Sequence, residues 1–311
     1  MSILQGFDQW PAGPLHLAIG VFDGVHRGHQ ELIRRLRAFA VAEGGRAVAA
    51  SFDPLPIQVL APGAPPSALS DAAERAEMLE AAGADVVVFF HSDPSFFALT
   101  GKEFVERVRA AGDVRRIVVG PDFRFGRDRE GDVTLLASLA GERRIDVEVV
   151  PPVAMGGAVI SSTRIRNLLV AGDVKGAAEL LGRAYAVRGK VVHGDKRGRA
   201  LGYPTINVAT PLERLLPRDG IYATWATIGD ARRPAATSLG VRPTFGAGER
   251  VLESFVLDLT ADLYGEDVEM TFVERLRDEL RFESAEALVA QIARDVEATR
   301  RALAPAARGG A

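Results

Sequence analysis

Hydrophobic residues in the first half of the chain form short runs in which consecutive positions are apolar. Val and Ile dominate these runs, as expected for strands that are buried on both faces of a sheet. They predict strands at residues 15–21, 46–52, 84–90, 115–120 and 145–151. Between them, apolar residues recur at helical spacing and predict helices at residues 28–43, 71–82, 101–111 and 133–141. This alternation predicts a doubly wound α/β domain with a parallel sheet.

The pattern changes after residue 160. Residues 161–182 predict one or two short helices, and from Tyr185 onward short strand-like runs are separated by Gly, Pro and Asp. These runs lie at residues 185–192, 221–228, 233–240, 251–259 and 267–273. They predict a small antiparallel β-barrel or sandwich, which an amphipathic helix at residues 284–303 closes. We therefore predict two domains, residues 1–183 and residues 184–311.

Composition excludes several classes of function. The 311 residues carry a formal net charge of −3 and no concentrated basic face, which disfavours a nucleic-acid partner. The chain has no cysteine, so disulfides, thiolate metal sites and a cysteine nucleophile are excluded. The first residues lack the features of a signal peptide, and the longest apolar runs are too short to span a bilayer. We expect a cytoplasmic protein, monomeric or weakly homo-oligomeric, with no membrane partner.

The segment GVFDGVHRGHQ, residues 20–30, follows the first predicted strand and leads into a predicted helix. Ligands of parallel sheets bind beyond the carboxyl ends of the strands, at helix N-termini. Two imidazoles there, His26 and His29, would favour a phosphate group whose charge grows in a transition state. The glycines do not form a P-loop. A surface loop and a metal site are the alternatives that this segment alone leaves open.

Three further segments lie at the carboxyl edge of the predicted sheet or come after its last predicted strand. They are SFDPLP at residues 51–56, VGPDFRFGRDREGD at residues 119–132 and ISSTRIR at residues 160–166. In the last, Ser162 and Thr163 are suitable helix N-caps, and Arg166 one turn later can reach a phosphate near the same helix end. Taken alone, the second segment could be a polar surface turn and the third an ordinary helix start.

The order of these segments resembles that of the bifunctional prokaryotic riboflavin kinase/FMN adenylyltransferase family, whose first domain carries an HxGH signature. Leu55 occupies a position where that family often has histidine. The resemblance implies that five residues stabilise the transferred adenylyl group: His26, His29, Ser162, Thr163 and Arg166. It implies that eight others contact the nucleotide or the flavin: Gly20, Phe22, Asp23, Gly24, Gly28, Asp122, Phe123 and Phe125.

The segment GKVVHGDKRGRALGYPTINV, residues 189–208, carries the main chemistry of the second domain. Its glycines bracket three cationic side chains, which gives a loop suited to a polyphosphate. Thr205 and Asn207, two residues apart on a predicted strand, would present neutral oxygens on one face to the Mg²⁺ that accompanies a nucleotide. A basic hairpin without catalytic function is the alternative.

This segment resembles the riboflavin kinase module, whose PTAN motif reads PTIN here, and residues 237–245 and 251–265 match the same module. The resemblance implies that Glu253 is the catalytic base and that Thr205 and Asn207 bind Mg²⁺. It implies nucleotide or flavin contacts for Gly194, Lys196, Gly198, Arg199, Gly202, Pro204, Arg277 and Phe282.

The resemblance implies two reactions, phosphorylation of riboflavin to FMN and adenylylation of FMN to FAD, with ATP and Mg²⁺. Three alternatives remain at this point. One is a nucleotidylyltransferase for another small phosphate, one is a flavin-binding protein without catalysis, and one is a nucleic-acid-binding barrel.

Overall fold

The structure is a computed structural model that describes residues 2–8, 10–65, 67–194, 202–241, 250–259 and 261–304. The chain divides into two compact units, the first ending at Ser162 and the second beginning at Thr163. The predicted boundary between the catalytic domains, at residues 183 and 184, stays a prediction.

The first unit contains a six-stranded parallel sheet, which confirms the predicted class of fold. Its strands are β1 (Ser2–Gln5), β2 (Pro14–Ile19), β3 (Arg46–Asp53), β4 (Val86–His91), β5 (Asp113–Val119) and β6 (Asp146–Val149). They are ordered β1-β4-β3-β2-β5-β6. The sequence predicted five of these strands and missed β1, which has only four residues and pairs at the edge.

Six α-helices follow these strands among the described residues of the first unit. They are α1 (Arg27–Glu43), α2 (Pro56–Leu60), α3 (Ala72–Ala81), α4 (Pro94–Phe97), α5 (Gly101–Ala111) and α6 (Val133–Gly141). The four long ones match the predicted helices, whereas α2 and α4 are too short to show a periodicity. A two-stranded hairpin, β7 (Ala154–Met155) and β8 (Ala158–Val159), precedes α7 (Ser162–Ala171).

Both faces of the sheet are buried, which explains the consecutive apolar positions. On β2, Leu15, Leu17 and Ile19 belong to one core cluster, and Ala18 belongs to the cluster on the opposite face. Side chains alternate between the faces of a strand, so a strand with both faces covered needs apolar residues throughout.

The sheet order creates a crevice between β2 and β5. The chain continues from β2 to β3 on one side, whereas β5 lies on the other side of β2. Ligands of doubly wound sheets bind where the strand order reverses in this way. The loops after β2 and β5 carry His26 and Asp122, so both predicted site segments emerge at this crevice.

The second unit is a closed six-stranded antiparallel barrel with helices. Its further elements are α8 (Val174–Leu181), β9 (Tyr185–Val192), β10 (Ile206–Ala209), β11 (Gly220–Ile228), β12 (Ala231–Val241), β13 (Arg250–Val256), β14 (Asp267–Arg277) and α9 (Ala285–Leu303). The barrel order is β10-β13-β12-β11-β14-β9. The barrel and its closing helix confirm the sequence prediction.

Candidate active sites

A glycine and a phenylalanine shape the start of the loop between β2 and α1. A Cβ atom on Gly20 would lie 2.9 Å from Cε1 of the Phe22 ring, so only glycine leaves that ring its place. Phe22 itself has a φ of 52° and is 1% exposed. A left-handed backbone at a bulky residue is unusual, and here burial of the ring holds it. The buried ring of Phe22 thus stabilises the backbone conformation of the loop.

Asp23 anchors the same loop to a distant part of the chain. Its buried carboxylate accepts hydrogen bonds from the backbone N–H groups of Leu69 and Ser70, each at 3.0 Å, and from the Ser70 hydroxyl. The Gly24 N–H donates to the Ser70 hydroxyl oxygen at 3.0 Å. These bonds give Asp23 and Gly24 a role in holding the loop. Their predicted contact with a nucleotide stays a prediction.

The two histidines stack at the N-terminus of α1. Their ring centroids are 3.6 Å apart with an interplanar angle of 17°. His26 is the N-cap, and its Nδ1 accepts the His29 backbone N–H at 3.3 Å. A ring that accepts at Nδ1 carries its proton on Nε2, so Nε2–H of His26 remains a donor. A Cβ atom on Gly28 would lie 3.1 Å from Cε1 of His26, so glycine at this position gives the ring room.

His29 is held as a neutral imidazole. Burial, and then the neighbouring His26, keep its pKa well below the ordinary value of 6.5. The edge of the Phe22 ring meets it at a centroid distance of 5.2 Å. Its Nδ1 is buried and has no hydrogen-bond partner among the described residues. Within the described ranges no group of three His, Asp or Glu side chains could hold a metal, so the metal hypothesis for these histidines finds no third ligand.

Helix α7 starts beside the histidine loop. The hydroxyl of its first residue, Ser162, donates to the Asp23 carbonyl oxygen at 3.0 Å. The structure thus brings Ser162 to the loop that carries His26 and His29. Thr163 and Arg166 follow on α7 in the second unit, and their predicted contact with a phosphate stays a prediction.

The predicted flavin loop after β5 has one accessible ring and one buried ring. Phe123 and Phe125 stack with centroids 5.6 Å apart, but Phe125 is 7% exposed and Phe123 is only partly buried. A Cβ atom on Gly131 would lie 2.5 Å from Cε1 of Phe125, so Phe125 is packed closely into the core. Asp122 is exposed. A ligand here would contact Asp122 and Phe123, and Phe125 would support Phe123.

Sequence reasoning missed a buried cation below these loops. Arg75 on α3 is 1% exposed, and its Nη2 donates to the Phe52 carbonyl oxygen at 2.7 Å. Burial lowers its pKa, and the charges of Asp23 and Asp53 oppose this most strongly. No motif marks Arg75, because its function depends on loops that other parts of the chain supply. Leu55 occupies the position where the resembling family often has histidine. It is 3% exposed at the start of α2.

A cavity of about 350 Å³ lies on the outer face of the barrel, under α9 and the segment before it. Four predicted site residues line it: Thr205, Glu253, Arg277 and Phe282. The Thr205 hydroxyl donates to Oε1 of Glu253 at 2.5 Å, and Asn207 on β10 lies directly opposite Glu253 on β13. The predicted metal ligands and the predicted base therefore form one polar cluster at the edge of the cavity.

The loop that precedes β10 passes close to Asn207. A Cβ atom on Gly194 would lie 2.0 Å from Nδ2 of Asn207. The backbone at Gly194 therefore lies directly against the side-chain amide of Asn207, and only glycine fits there. Gly202 has a φ of 83°, a left-handed conformation that favours glycine, and it leads into Pro204. Three predicted phosphate-binding residues lie outside the described residues: Lys196, Gly198 and Arg199.

Another part of the cavity lining is apolar and aromatic. Tyr203 meets Phe255 edge to face, with ring centroids 5.2 Å apart, and both rings line the cavity. Phe282, Leu288 and Ile292 complete this wall. A flat apolar group on one side and a polar chain on the other would therefore both find a matching surface.

Arg277 forms an ion pair that closes the cavity. Its Nε and Nη2 donate to the two carboxylate oxygens of Asp295 on α9 at 2.9 Å and 2.6 Å. Gln291 also donates to Asp295, which is 6% exposed. This bidentate pair fastens β14 to α9 and occupies much of the guanidinium. The predicted flavin contact of Arg277 stays a prediction.

Comparisons with known proteins match each part of the chain to a family model. A protein-family model described as FAD synthetase matches residues 9–164, and one described as riboflavin kinase matches residues 181–303. The bifunctional riboflavin kinase/FMN adenylyltransferase of Escherichia coli K12 is 36% identical over 301 residues, which are 95% of this chain and 96% of that protein. The protein of the same description from Pseudomonas fluorescens is 39% identical over 291 residues, 93% of each chain.

A solved structure matches nearly the whole fold. It is a protein from Streptococcus pneumoniae described as a macrolide-efflux protein, with a TM-score of 0.88 at 33% identity, covering 96% of this chain and 99% of that one. In the part of the present chain that the structure describes, no helix has the length and apolar character needed to cross a bilayer. On the family models and the full-length relatives, the chain belongs to the bifunctional riboflavin kinase/FMN adenylyltransferase family.

Proposed function

We propose that the barrel transfers the γ-phosphoryl group of ATP to the 5′-hydroxyl of riboflavin, and that the first unit transfers AMP from a second ATP to the FMN formed. The observation that carries this proposal is the cluster of Thr205, Asn207 and Glu253 beside a cavity that is lined partly by aromatic side chains. The polar edge suits a hydroxyl and a phosphate, and the aromatic wall suits an isoalloxazine ring.

In the kinase reaction, Glu253 accepts the proton of the 5′-hydroxyl while the oxygen attacks the γ-phosphorus and ADP leaves. The residues present fit Mg²⁺. Because the Thr205 hydroxyl gives its hydrogen to Glu253, its oxygen lone pairs remain for a cation, and the Asn207 side chain beside Glu253 supplies a neutral amide oxygen. Thr205 and Asn207 would hold the Mg²⁺, which supplies charge neutralisation to the phosphates of ATP when bound.

In the adenylyl transfer, a phosphate oxygen of FMN attacks the α-phosphorus of ATP and pyrophosphate leaves. No side chain needs to take up a proton, so catalysis depends on position and charge stabilisation. The Nε2–H of His26 and the imidazole of His29 stand at the N-terminus of α1, where developing negative charge is favoured. We assign Thr163 and Arg166 to the same phosphates because the sequence motifs of this chain occur in the same order as those of the family.

The test uses the whole chain with riboflavin, ATP and Mg²⁺, followed by chromatographic separation of the flavins. We expect FAD from the wild type, accumulated FMN from His29→Ala and unreacted riboflavin from Glu253→Ala. Supplying FMN to Glu253→Ala should restore FAD, which shows that the adenylyl-transfer site of this variant is intact. Absence of any flavin product from the wild type would refute the proposal, and normal FAD formation by His29→Ala would refute the role of that histidine.

The remaining features of the proposal rest on the sequence. We propose a cytoplasmic enzyme that is monomeric or weakly homo-oligomeric, takes riboflavin, FMN and ATP, and has no nucleic-acid or membrane partner. Cell fractionation and analytical ultracentrifugation test the location and the oligomeric state.

A further inference from the structure

One row of residues crosses the barrel wall beneath the cavity. The strand register places Asn207 of β10 opposite Glu253 of β13, and Glu253 opposite Ser238 of β12. The row continues with Ile221 of β11 and Arg277 of β14. Directly paired residues project from the same face of a sheet, and their Cβ atoms lie about 4.5–5.5 Å apart. Ser238 is therefore the immediate neighbour of the proposed base, on the side away from Asn207.

The Ser238 hydroxyl is available to a ligand. The residue lines the cavity and is partly exposed to it. Neighbouring hydroxyl groups are committed to other partners, since Thr205 bonds Glu253, and Ser254 bonds Thr237 inside the barrel at 2.8 Å. The Ser238 side chain makes no hydrogen bond to any described residue. A hydroxyl can donate and accept, so it suits a ligand group that does the same.

We propose that Ser238 binds the 4′-hydroxyl of the ribityl chain and thereby selects a substrate that carries two adjacent hydroxyl groups. This inference rests on the proposed role of Glu253, which fixes the 5′-hydroxyl at one position of the row. The next hydroxyl along the chain then lies one carbon away, within the spacing of two paired side chains. An alcohol without the second hydroxyl would leave the Ser238 hydroxyl without a hydrogen-bond partner in a partly buried site. The cost of that unpaired group makes the site discriminate against such an alcohol.

The experiment is a two-by-two comparison of wild type and Ser238→Ala on riboflavin and on 4′-deoxyriboflavin. On riboflavin, we expect Ser238→Ala to lower kcat/KM of the kinase by roughly fivefold to tenfold. The wild type should lose a similar factor on the deoxy substrate, and Ser238→Ala should lose no further activity there. AMP transfer to supplied FMN by Ser238→Ala should equal that of the wild type, which controls for the first unit, and an unchanged circular dichroism spectrum controls for folding of the barrel.

Three outcomes separate the claims. If Ser238→Ala lowers kcat/KM relative to the wild type by the same factor on both substrates, the assignment of Ser238 would be overturned. The proposed kinase function would be unaffected by that result. An unchanged kcat/KM on riboflavin would overturn it as well. Failure of the wild type to phosphorylate riboflavin at all would instead refute the proposed function on which this inference rests.

Discussion

At the scale of single residues, the first site is built on two stacked imidazoles, of which His29 has a pKa that burial keeps well below 6.5. His26 uses Nδ1 to cap the helix, and His29 is buried against Phe22 and His26. A neutral ring has one N–H group that can donate a hydrogen bond to a phosphate. Such a donor at a helix N-terminus can stabilise the charge that develops on a transferred phosphate group.

The lowered pKa of His29 predicts a pH dependence of stability. The unfolded chain takes up a proton near pH 6.5 that the folded chain does not, so stability present above this pH is lost as the pH falls. The loss should reach up to about 1.4 kcal/mol per pH unit for this histidine. His16, whose pKa burial also lowers, should contribute in the same direction.

Urea unfolding between about pH 5 and pH 8 measures this dependence. The chain has two tryptophans, Trp10 and Trp225, so Trp225→Phe leaves the fluorescence of Trp10 as a reporter of the first unit. In that background, His29→Asn should reduce the slope of the unfolding free energy against pH and leave the part due to His16. An identical slope in both proteins would contradict the origin assigned to it.

At the scale of elements, sequence patterns reveal what is local. The helix from Arg27 and the strand from Tyr185 were predictable within one residue, because periodicity and turn residues lie within the segment itself. The role of Asp23 was not, since its partner Ser70 lies 47 positions away. The neighbours of Glu253 likewise depend on the register of three strands, which no single run specifies.

Arg75 shows how one residue can couple two loops. Its guanidinium holds the Phe52 carbonyl at the end of β3 and is compensated by Asp23 in the loop after β2. Arg75→Met should loosen both loops, raise KM for ATP and lower kcat of AMP transfer by roughly tenfold or more, since the Phe52 carbonyl loses its donor and the charge that compensates Asp23 is removed. Arg75→Lys keeps the charge and should recover part of the loss.

Kinetics of FAD formation from supplied FMN, with riboflavin phosphorylation by the same preparation as the control, tests this coupling. The barrel lies in the other unit, so its activity should remain at the wild-type level in both variants. Unaltered AMP transfer by Arg75→Met would show that the loops do not need the cation. Equal loss in Arg75→Lys and Arg75→Met would show that the charge is not what matters.

At the scale of the whole molecule, the proposed base of one step and the two histidines of the other lie in separate units. Thr205, Asn207 and Glu253 lie in the second unit, whereas His26 and His29 lie in the first. Each cluster is built on its own sheet, by hydrogen bonds and packing within that sheet and its loops. A substitution in one site should therefore leave the other reaction competent, and the product of the barrel is the substrate of the first unit.

This division predicts complementation between two inactive chains. Glu253→Ala should retain AMP transfer and His29→Ala should retain the kinase, so we expect that neither converts riboflavin to FAD alone. Mixed at equal concentration with riboflavin, ATP and Mg²⁺, they should form FAD after a lag in which free FMN accumulates. Increasing the share of the kinase-competent chain should shorten the lag, because FMN must reach its working concentration in solution. If each variant is active on its own half-reaction and the mixture still yields only FMN, the FMN would not pass between chains, and the independence of the two sites would be wrong.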